Sequence, residues 1–141
     1  MRLLPLLLFG WLYFQSPAAS VFSGTWVAEF KGATFVRLDL KSTGTAIAGA
    51  LGTGDLSVDK NGDVMQVTPI PSTLTPLYEV VVKGSTLMFK RAEGSDAEQF
   101  RLTVLGADQA ELLFLPDADM LEEIKEAGIP VPKPIRLHKI R

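Results

Sequence analysis

The chain begins its first alternating run at Phe22-Ser23-Gly24-Thr25-Trp26. Phe22, Trp26 and Phe30 fall on one parity, whereas polar and charged residues fall on the other. Because successive side chains of a strand point to opposite faces of a sheet, this run predicts one face of bulky apolar side chains and one solvent-exposed face. Gly24 allows the backbone to pass close to another segment, two residues before the tryptophan. We interpret the run as the first strand of a closed antiparallel barrel.

Turn signals recur about every eight to twelve residues up to residue 116, which is typical of an all-β barrel or sandwich. The strongest of them is Asn61-Gly62, because this dipeptide accepts the positive φ angles of a type I′ hairpin turn. About nine short strands precede residue 116, and residues 135–141 form a last strand. Closure removes both exposed sheet edges, so we expect the last strand to pair with the first. The predicted fold is an up-and-down antiparallel β-barrel of about eight to ten strands.

One short helix is predicted before the last strand, where the period of the pattern changes. Asp117 provides a cap, Leu121 and Ile124 lie on one helical face, and Gly128 ends the segment. A helix of about ten residues is not stable alone, so we expect it to lie on the barrel. Three prolines between residues 129 and 135 then predict a stiff, extended connector.

The first twenty residues have the composition of a cleavable signal peptide. Arg2 supplies a positive charge, residues 3–14 are apolar, and small residues permit cleavage after either Ala18 or Ser20. The apolar run, roughly a dozen residues long, is too short to span a bilayer as a helix. We therefore predict a signal peptide over residues 1–20 and a single barrel domain over residues 21–141. The protein is expected to be secreted or periplasmic, and the absence of cysteine favours bacterial export.

Composition argues against several classes of function. The formal net charge is -2, and no basic patch indicates a nucleic-acid partner. His138 is the only histidine and cysteine is absent, so the chain offers no His/Cys metal cluster and a single candidate base for a Ser-His-Asp triad. Residues 59–63 lack the spacing of a calcium loop. Short strands and a terminal Arg141 argue against an integral outer-membrane barrel. We expect no enzyme activity, no metal and no cofactor.

Gly24-Thr25-Trp26 resembles the Gly-x-Trp motif of lipocalins and the wider calycin superfamily, although the middle Thr-Asp-Tyr motif of lipocalins is missing. In that superfamily the tryptophan of the first strand plugs the closed end of the barrel, and a basic side chain of the last strand packs across it. The resemblance implies that Trp26 is the plug. It leaves Arg136, Lys139 and Arg141 as candidates for the basic residue.

The resemblance also implies an exported, non-catalytic barrel that binds a small apolar or amphipathic ligand. The residues expected to contact that ligand in the barrel interior are Trp26, Phe30, Leu38, Phe89, Phe100, Phe114, Arg136 and His138. The alternative is an interaction or inhibitor module whose barrel is filled with side chains. Such a module would act through its proline-stiffened loops, residues 69–76 and 128–134, which lose little entropy on binding. Barrels of eight to ten strands lie at the boundary between a filled and a hollow interior.

Overall fold

The computed structural model of the protein describes residues 19–141. The predicted signal peptide, residues 1–20, lies outside this part except for Ala19 and Ser20. The described elements are β1 (Gly24–Phe30), β2 (Ala33–Thr43), β3 (Ala46–Thr53), β4 (Leu56–Val58), β5 (Val64–Val67), β6 (Thr75–Lys83), β7 (Thr86–Glu93), β8 (Asp96–Val104), β9 (Gln109–Leu115), α1 (Ala118–Glu126) and β10 (Ile135–Ile140).

Eight of these strands close into an antiparallel barrel in the order β1-β10-β9-β8-β7-β6-β3-β2. Trp26 of β1 pairs with Lys139 of β10, so the last strand closes the sheet on the first. The all-β class, the up-and-down barrel and the short helix before the last strand are therefore confirmed. β4 and β5 pair only with each other and form a hairpin inserted between β3 and β6. The sequence pattern predicts them as strands of the barrel wall, but they lie outside it.

Trp26 fills one end of the barrel, which we call the closed end. Its side chain is fully buried, and its indole Nε1 donates a hydrogen bond to the carbonyl oxygen of Phe22 at 2.9 Å. The Lys139 ammonium lies 4.8 Å from the centre of the indole. A Cβ on Gly24 would lie 3.1 Å from Cδ of Lys139, so the glycine leaves room for the lysine stem. Of the three basic candidates, Lys139 is the residue that packs on the tryptophan.

The side chains behind Trp26 form one continuous core. Leu38, Leu51, Leu87, Leu102 and Leu137 are fully buried there, one from each of five strands. Three aromatic rings lie side by side across β7, β8 and β9, because Phe89 is opposite Phe100 and Phe100 is opposite Phe114. The ring of Phe100 lies 5.6 Å from that of Phe89 and 5.5 Å from that of Phe114, in the range of favourable aromatic pairs.

The β4–β5 hairpin forms at the predicted Asn-Gly position, but its turn is not of type I′. Gly62 has a φ of 84°, whereas Asn61 does not adopt a positive φ. The Asp59 carboxylate accepts hydrogen bonds from the backbone N–H groups of Asn61, at 2.8 Å, and Asp63, at 3.0 Å. These bonds favour a turn in which only the glycine is left-handed. The side chain of Asp59 overrides the local preference of the dipeptide.

The helix α1 is capped as predicted, since the Asp117 carboxylate accepts a hydrogen bond from the backbone N–H of Met120 at 2.8 Å. None of its residues is buried, however. Leu121 and Ile124 are half-buried, so the helix contributes little to the core. Among the helices of residues 19–141, none has the length and apolarity needed to cross a membrane.

Candidate functional site

A cavity of about 420 Å³ lies at the end of the barrel opposite Trp26, which we call the open end. Its lining includes Thr53 at the end of β3, Phe114 near the end of β9 and Ile135 at the start of β10. Trp26 lies near the start of β1, beside the end of β10. The plugged end and the hollow end are therefore separated by the length of the core.

Two segments outside the barrel wall complete the cavity, and together we call them the cover. The β4–β5 hairpin contributes Leu56, Val58 and Val64, and the connector contributes residues 130–134. The ammonium of Lys133 donates a hydrogen bond to Oδ1 of Asp63 at 3.2 Å, which joins the connector to the tip of the hairpin. The side-chain stem of Lys133 also packs next to Gly62. The cavity is thus bounded by the barrel wall on one side and the cover on the other.

A β-bulge in β2 aims two consecutive side chains at the cavity. Val36 is opposite Ala28 and Thr34 is opposite Glu29, which leaves Phe35 as the extra residue between them. Such a bulge interrupts the alternation of a strand and can redirect a side chain. Phe35 and Val36 are consequently both buried and both line the cavity, although regular alternation would place them on opposite faces.

The polar part of the cavity wall is an ion pair between Arg91 of β7 and Glu98 of β8. These residues are directly opposite each other in the sheet. Oε1 of Glu98 accepts a hydrogen bond from Nε of Arg91 at 2.9 Å and another from Nη2 at 2.5 Å. Nη1 donates to the hydroxyl of Thr53 at 3.0 Å, and the guanidinium lies 5.3 Å from the centre of the Phe100 ring. Side chains from four strands, β3 and β7–β9, therefore meet around one guanidinium and the aromatic rings beside it, although β6 lies between β3 and β7 in the sheet.

Two of the predicted interior residues line the cavity, namely Phe100 and Phe114. Four others belong to the core or its margin and do not line it, namely Trp26, Phe30, Leu38 and Phe89. The distinction arises because the cavity occupies only one end of the barrel. Alternation along a strand predicts which side chains point inward, but not at which end of the barrel they lie.

The interior placement predicted for Arg136 and His138 is wrong. Both residues flank Leu137, which is fully buried, so the alternation of β10 turns them to the outer wall. The side chain of Arg136 is 59% exposed and lies 3.6 Å from a carboxylate oxygen of Glu111. Nε2 of His138 lies 3.3 Å from a carboxylate oxygen of Glu29.

The sequence reasoning missed Arg91 and Glu98, although a signal for them was present. Arg91 shares its parity with Leu87 and Phe89, and Glu98 shares its parity with Phe100 and Leu102. A charged residue at an inward position of each of two adjacent strands predicts a buried ion pair. Phe35 carried no comparable signal, because the bulge that turns it inward depends on the register between β1 and β2.

Within residues 19–141, no group of three or more His, Asp or Glu side chains could hold a metal ion. Comparison of the chain with protein-family models, with curated proteins and with solved structures finds no match. Function is therefore inferred from the geometry of the barrel and its cavity.

Gly54 is a sensitive position of the site, and we expect Gly54→Ala to lower the free energy of unfolding by about 1–3 kcal/mol. Gly54 lines the cavity where β3 leads into the hairpin, and its N–H donates to the carbonyl oxygen of Phe35 at 2.8 Å. An added Cβ would overlap the carbonyl oxygen of Thr68. Urea unfolding measures the effect. Gly106→Ala is the matched control, because a Cβ there meets no atom within 4 Å. Equal stability of the two variants would contradict the prediction.

Proposed function

We propose that this protein is an exported, non-catalytic barrel of lipocalin type that binds a small apolar or amphipathic molecule in the open-end cavity. The observation that carries the proposal is the cavity of about 420 Å³, enclosed between the barrel wall and the cover. Small-molecule sites in proteins commonly have volumes of about 300–1,000 Å³. They also combine a mostly apolar lining with a few placed polar groups. The cavity meets both descriptions.

The plugged end supports the likeness to lipocalins. Trp26, Gly24 and Lys139 adopt the arrangement that the Gly-x-Trp motif implies, with the lysine across the indole. A barrel sealed at that end admits a ligand only from the other, where the cavity lies. The position of the cavity relative to the plug is what a ligand-binding barrel requires.

Binding fits the polar groups of the cavity better than catalysis does. The Thr53 hydroxyl and the Glu98 carboxylate already accept hydrogen bonds from Arg91. The single histidine of the chain, His138, lies on the outer wall and is not available as a base for this site. The inhibitor alternative assumes a filled interior, and the volume at the open end argues against that assumption.

The leader composition of residues 1–20 supports export. Of the two cleavage positions, the one after Ala18 is favoured, because it retains Ala19 and Ser20 in the mature chain. Ala19 is buried against the core, and its carbonyl oxygen accepts a hydrogen bond from the backbone N–H of Phe22 at 3.3 Å. The carbonyl oxygen of Ser20 accepts one from Ser23 at 3.2 Å.

Filling the cavity tests the proposal, with Val36→Phe as the variant. Val36 is buried in the lining, so a larger side chain occupies the volume that a ligand needs. Lipids, pigments and aromatic acids are screened on the mature wild-type protein by thermal melting. A ligand at a hundred times its Kd stabilises the folded state by about 2.7 kcal/mol. We expect Val36→Phe to weaken the affinity for the best compound at least tenfold.

Val81→Phe is the matched control, since Val81 is exposed on the outer wall and the added volume is the same. This variant should bind with the affinity of the wild-type protein. A screen in which no compound changes the melting temperature would overturn the proposal. Binding that Val36→Phe leaves untouched would place the ligand elsewhere and would overturn it equally.

A further inference from the structure

The two partners of the cavity ion pair are unequally accessible. The side chain of Arg91 is 7% exposed, whereas that of Glu98 is 23% exposed. Three of the five N–H donors of the guanidinium are used by Glu98 and Thr53, and its central carbon lies over the Phe100 ring. A ligand entering the cavity therefore meets the carboxylate more readily than the guanidinium.

The carboxylate retains an unused acceptor. Both bonds from Arg91 go to Oε1 of Glu98, and no described residue donates a hydrogen bond to Oε2. No buried polar side-chain atom of residues 19–141 lacks a partner, which means that Oε2 is reached by solvent. The other charged residues of the lining, Asp63 and Lys133, belong to the cover and are paired with each other. The polar feature that the barrel wall leaves for a ligand is therefore a carboxylate oxygen of Glu98 that accepts a hydrogen bond.

The charges of the pair select against an ionic ligand group. A ligand carboxylate near Glu98 would face a like charge, and electrostatic repulsion is stronger in an apolar cavity than in water. An ammonium group would lose its hydration to reach a carboxylate whose charge Arg91 already balances, and the transfer of an ionised group into an apolar cavity is costly. An uncharged donor avoids both and still gains a hydrogen bond to an ionised acceptor, which is among the stronger hydrogen bonds in proteins.

The remaining lining is suited to an apolar and preferably aromatic body. Phe35, Phe100 and Phe114 present aromatic rings, and Val36, Leu112 and Ile135 add aliphatic surface. Aromatic ligands gain from offset or edge-to-face contact with such rings in addition to the area they bury.

We propose that the ligand of the open-end cavity is an uncharged apolar molecule with a hydroxyl or N–H group, which donates a hydrogen bond to Oε2 of Glu98. This inference rests on the proposed function and narrows it from any apolar or amphipathic molecule to a neutral hydrogen-bond donor. It excludes fatty-acid-like carboxylates as preferred ligands.

Three probes that share one apolar body test the inference, namely para-hexylphenol, its methyl ether and para-hexylbenzoate. Calorimetric titration of the mature wild-type protein at neutral pH measures each Kd. A hydrogen bond to a charged group corresponds to roughly a tenfold to hundredfold gain in affinity. We expect the phenol to bind at least tenfold more tightly than the ether, and the benzoate to bind more weakly than the phenol.

Glu98→Gln adds a test of the charge, since it retains the shape and an acceptor oxygen. We expect it to reduce the preference for phenol over benzoate at least tenfold, whereas Glu111→Gln on the outer wall should leave the preference unchanged. An ether or benzoate that binds wild-type protein as tightly as the phenol would overturn the inference and leave the proposed function standing. The same holds if none of the three binds while another screened compound does. If neither these three probes nor any screened compound binds, both the inference and the proposed function fail.

Discussion

Glu98→Ala is expected to lower the free energy of unfolding by about 3 kcal/mol, the lower end of the cost typical of removing one partner of a buried ion pair, because Glu98 is only partly buried. The substitution leaves the guanidinium of Arg91 inside the barrel with the Thr53 hydroxyl as its remaining hydrogen-bond partner. The Arg91 side chain is too buried for bulk water to replace the lost carboxylate fully. Urea unfolding followed by circular dichroism measures the change.

Two comparisons test whether the loss of stability comes from the unpaired guanidinium or from a general sensitivity of the barrel to substitution. The double variant Arg91→Met/Glu98→Leu removes both charges, and buried pairs replaced in this way are often neutral or even stabilised. It should therefore be more stable than Glu98→Ala. Asp39→Ala breaks an ion pair with Arg37 on the outer wall, where both side chains are about two-fifths exposed. Solvent screening limits that loss to about 1 kcal/mol or less. A loss in Glu98→Ala as small as that in Asp39→Ala would refute the prediction.

Trp26→Ala is expected to lower the free energy of unfolding by about 3–5 kcal/mol, as is typical for a buried aromatic side chain truncated to alanine. The indole is fully buried among residues of the first, second and last strands. Its removal leaves a void at the closed end, an unpaired carbonyl oxygen on Phe22 and a lysine without its aromatic neighbour. Circular dichroism again reports the transition, because the mature chain of this variant, from which Trp11 has been removed with the predicted leader, contains no tryptophan.

Trp26→Phe separates the loss of the indole hydrogen bond from the loss of packing at the closed end. The phenyl ring keeps much of the packing but cannot donate to Phe22, so we expect a smaller loss of about 1–3 kcal/mol. Ligand affinity should remain that of the wild type in Trp26→Phe, because the cavity lies at the other end of the barrel. Tyr78→Ala on the outer wall is the control and should change stability by less than about 0.5 kcal/mol. A Trp26→Ala variant as stable as Tyr78→Ala would show that the plug is dispensable.

The two variants probe opposite ends of one barrel. Trp26 and Lys139 close the end where the first and last strands pair, and this closure removes the edges of the sheet. Arg91 and Glu98 lie at the open end, where a charged pair limits how completely apolar side chains can fill the interior. Stability is thus expected to depend on both ends, whereas ligand affinity depends on the open end.

Much of the fold could be predicted because its signals are local. Alternation of apolar and polar residues marks a strand, and glycine-containing turns separate one strand from the next. The helix that Asp117 caps and the final strand are predicted on such grounds, and the structure has both. The hairpin at Asn61 was also predicted, but its turn type depends on hydrogen bonds from the backbone to Asp59.

The candidate site could be predicted only in part, because a cavity is a property of several strands together. The alternation of β8 and β9 predicts that Phe100 and Phe114 point inward, but the same criterion selects Leu38 and Phe89, which belong to the core and do not line the cavity. Phe35 was missed because a bulge changes its direction. The cover brings residues 56–64 against residues 130–134, and no local pattern connects segments so far apart in the chain.

From the order of its residues alone, this protein is an all-β barrel whose opening strand carries a buried tryptophan and whose final strand completes the sheet. These features follow from side-chain alternation and from the cost of leaving sheet edges open, which act strand by strand. The choice of Lys139 over its neighbours, the exclusion of β4 and β5 from the wall, and the cavity beside Arg91 and Glu98 arise only when the strands take their register. Register depends on contacts between segments that are distant in the chain, so the site is determined by the closed barrel and not by any local sequence pattern.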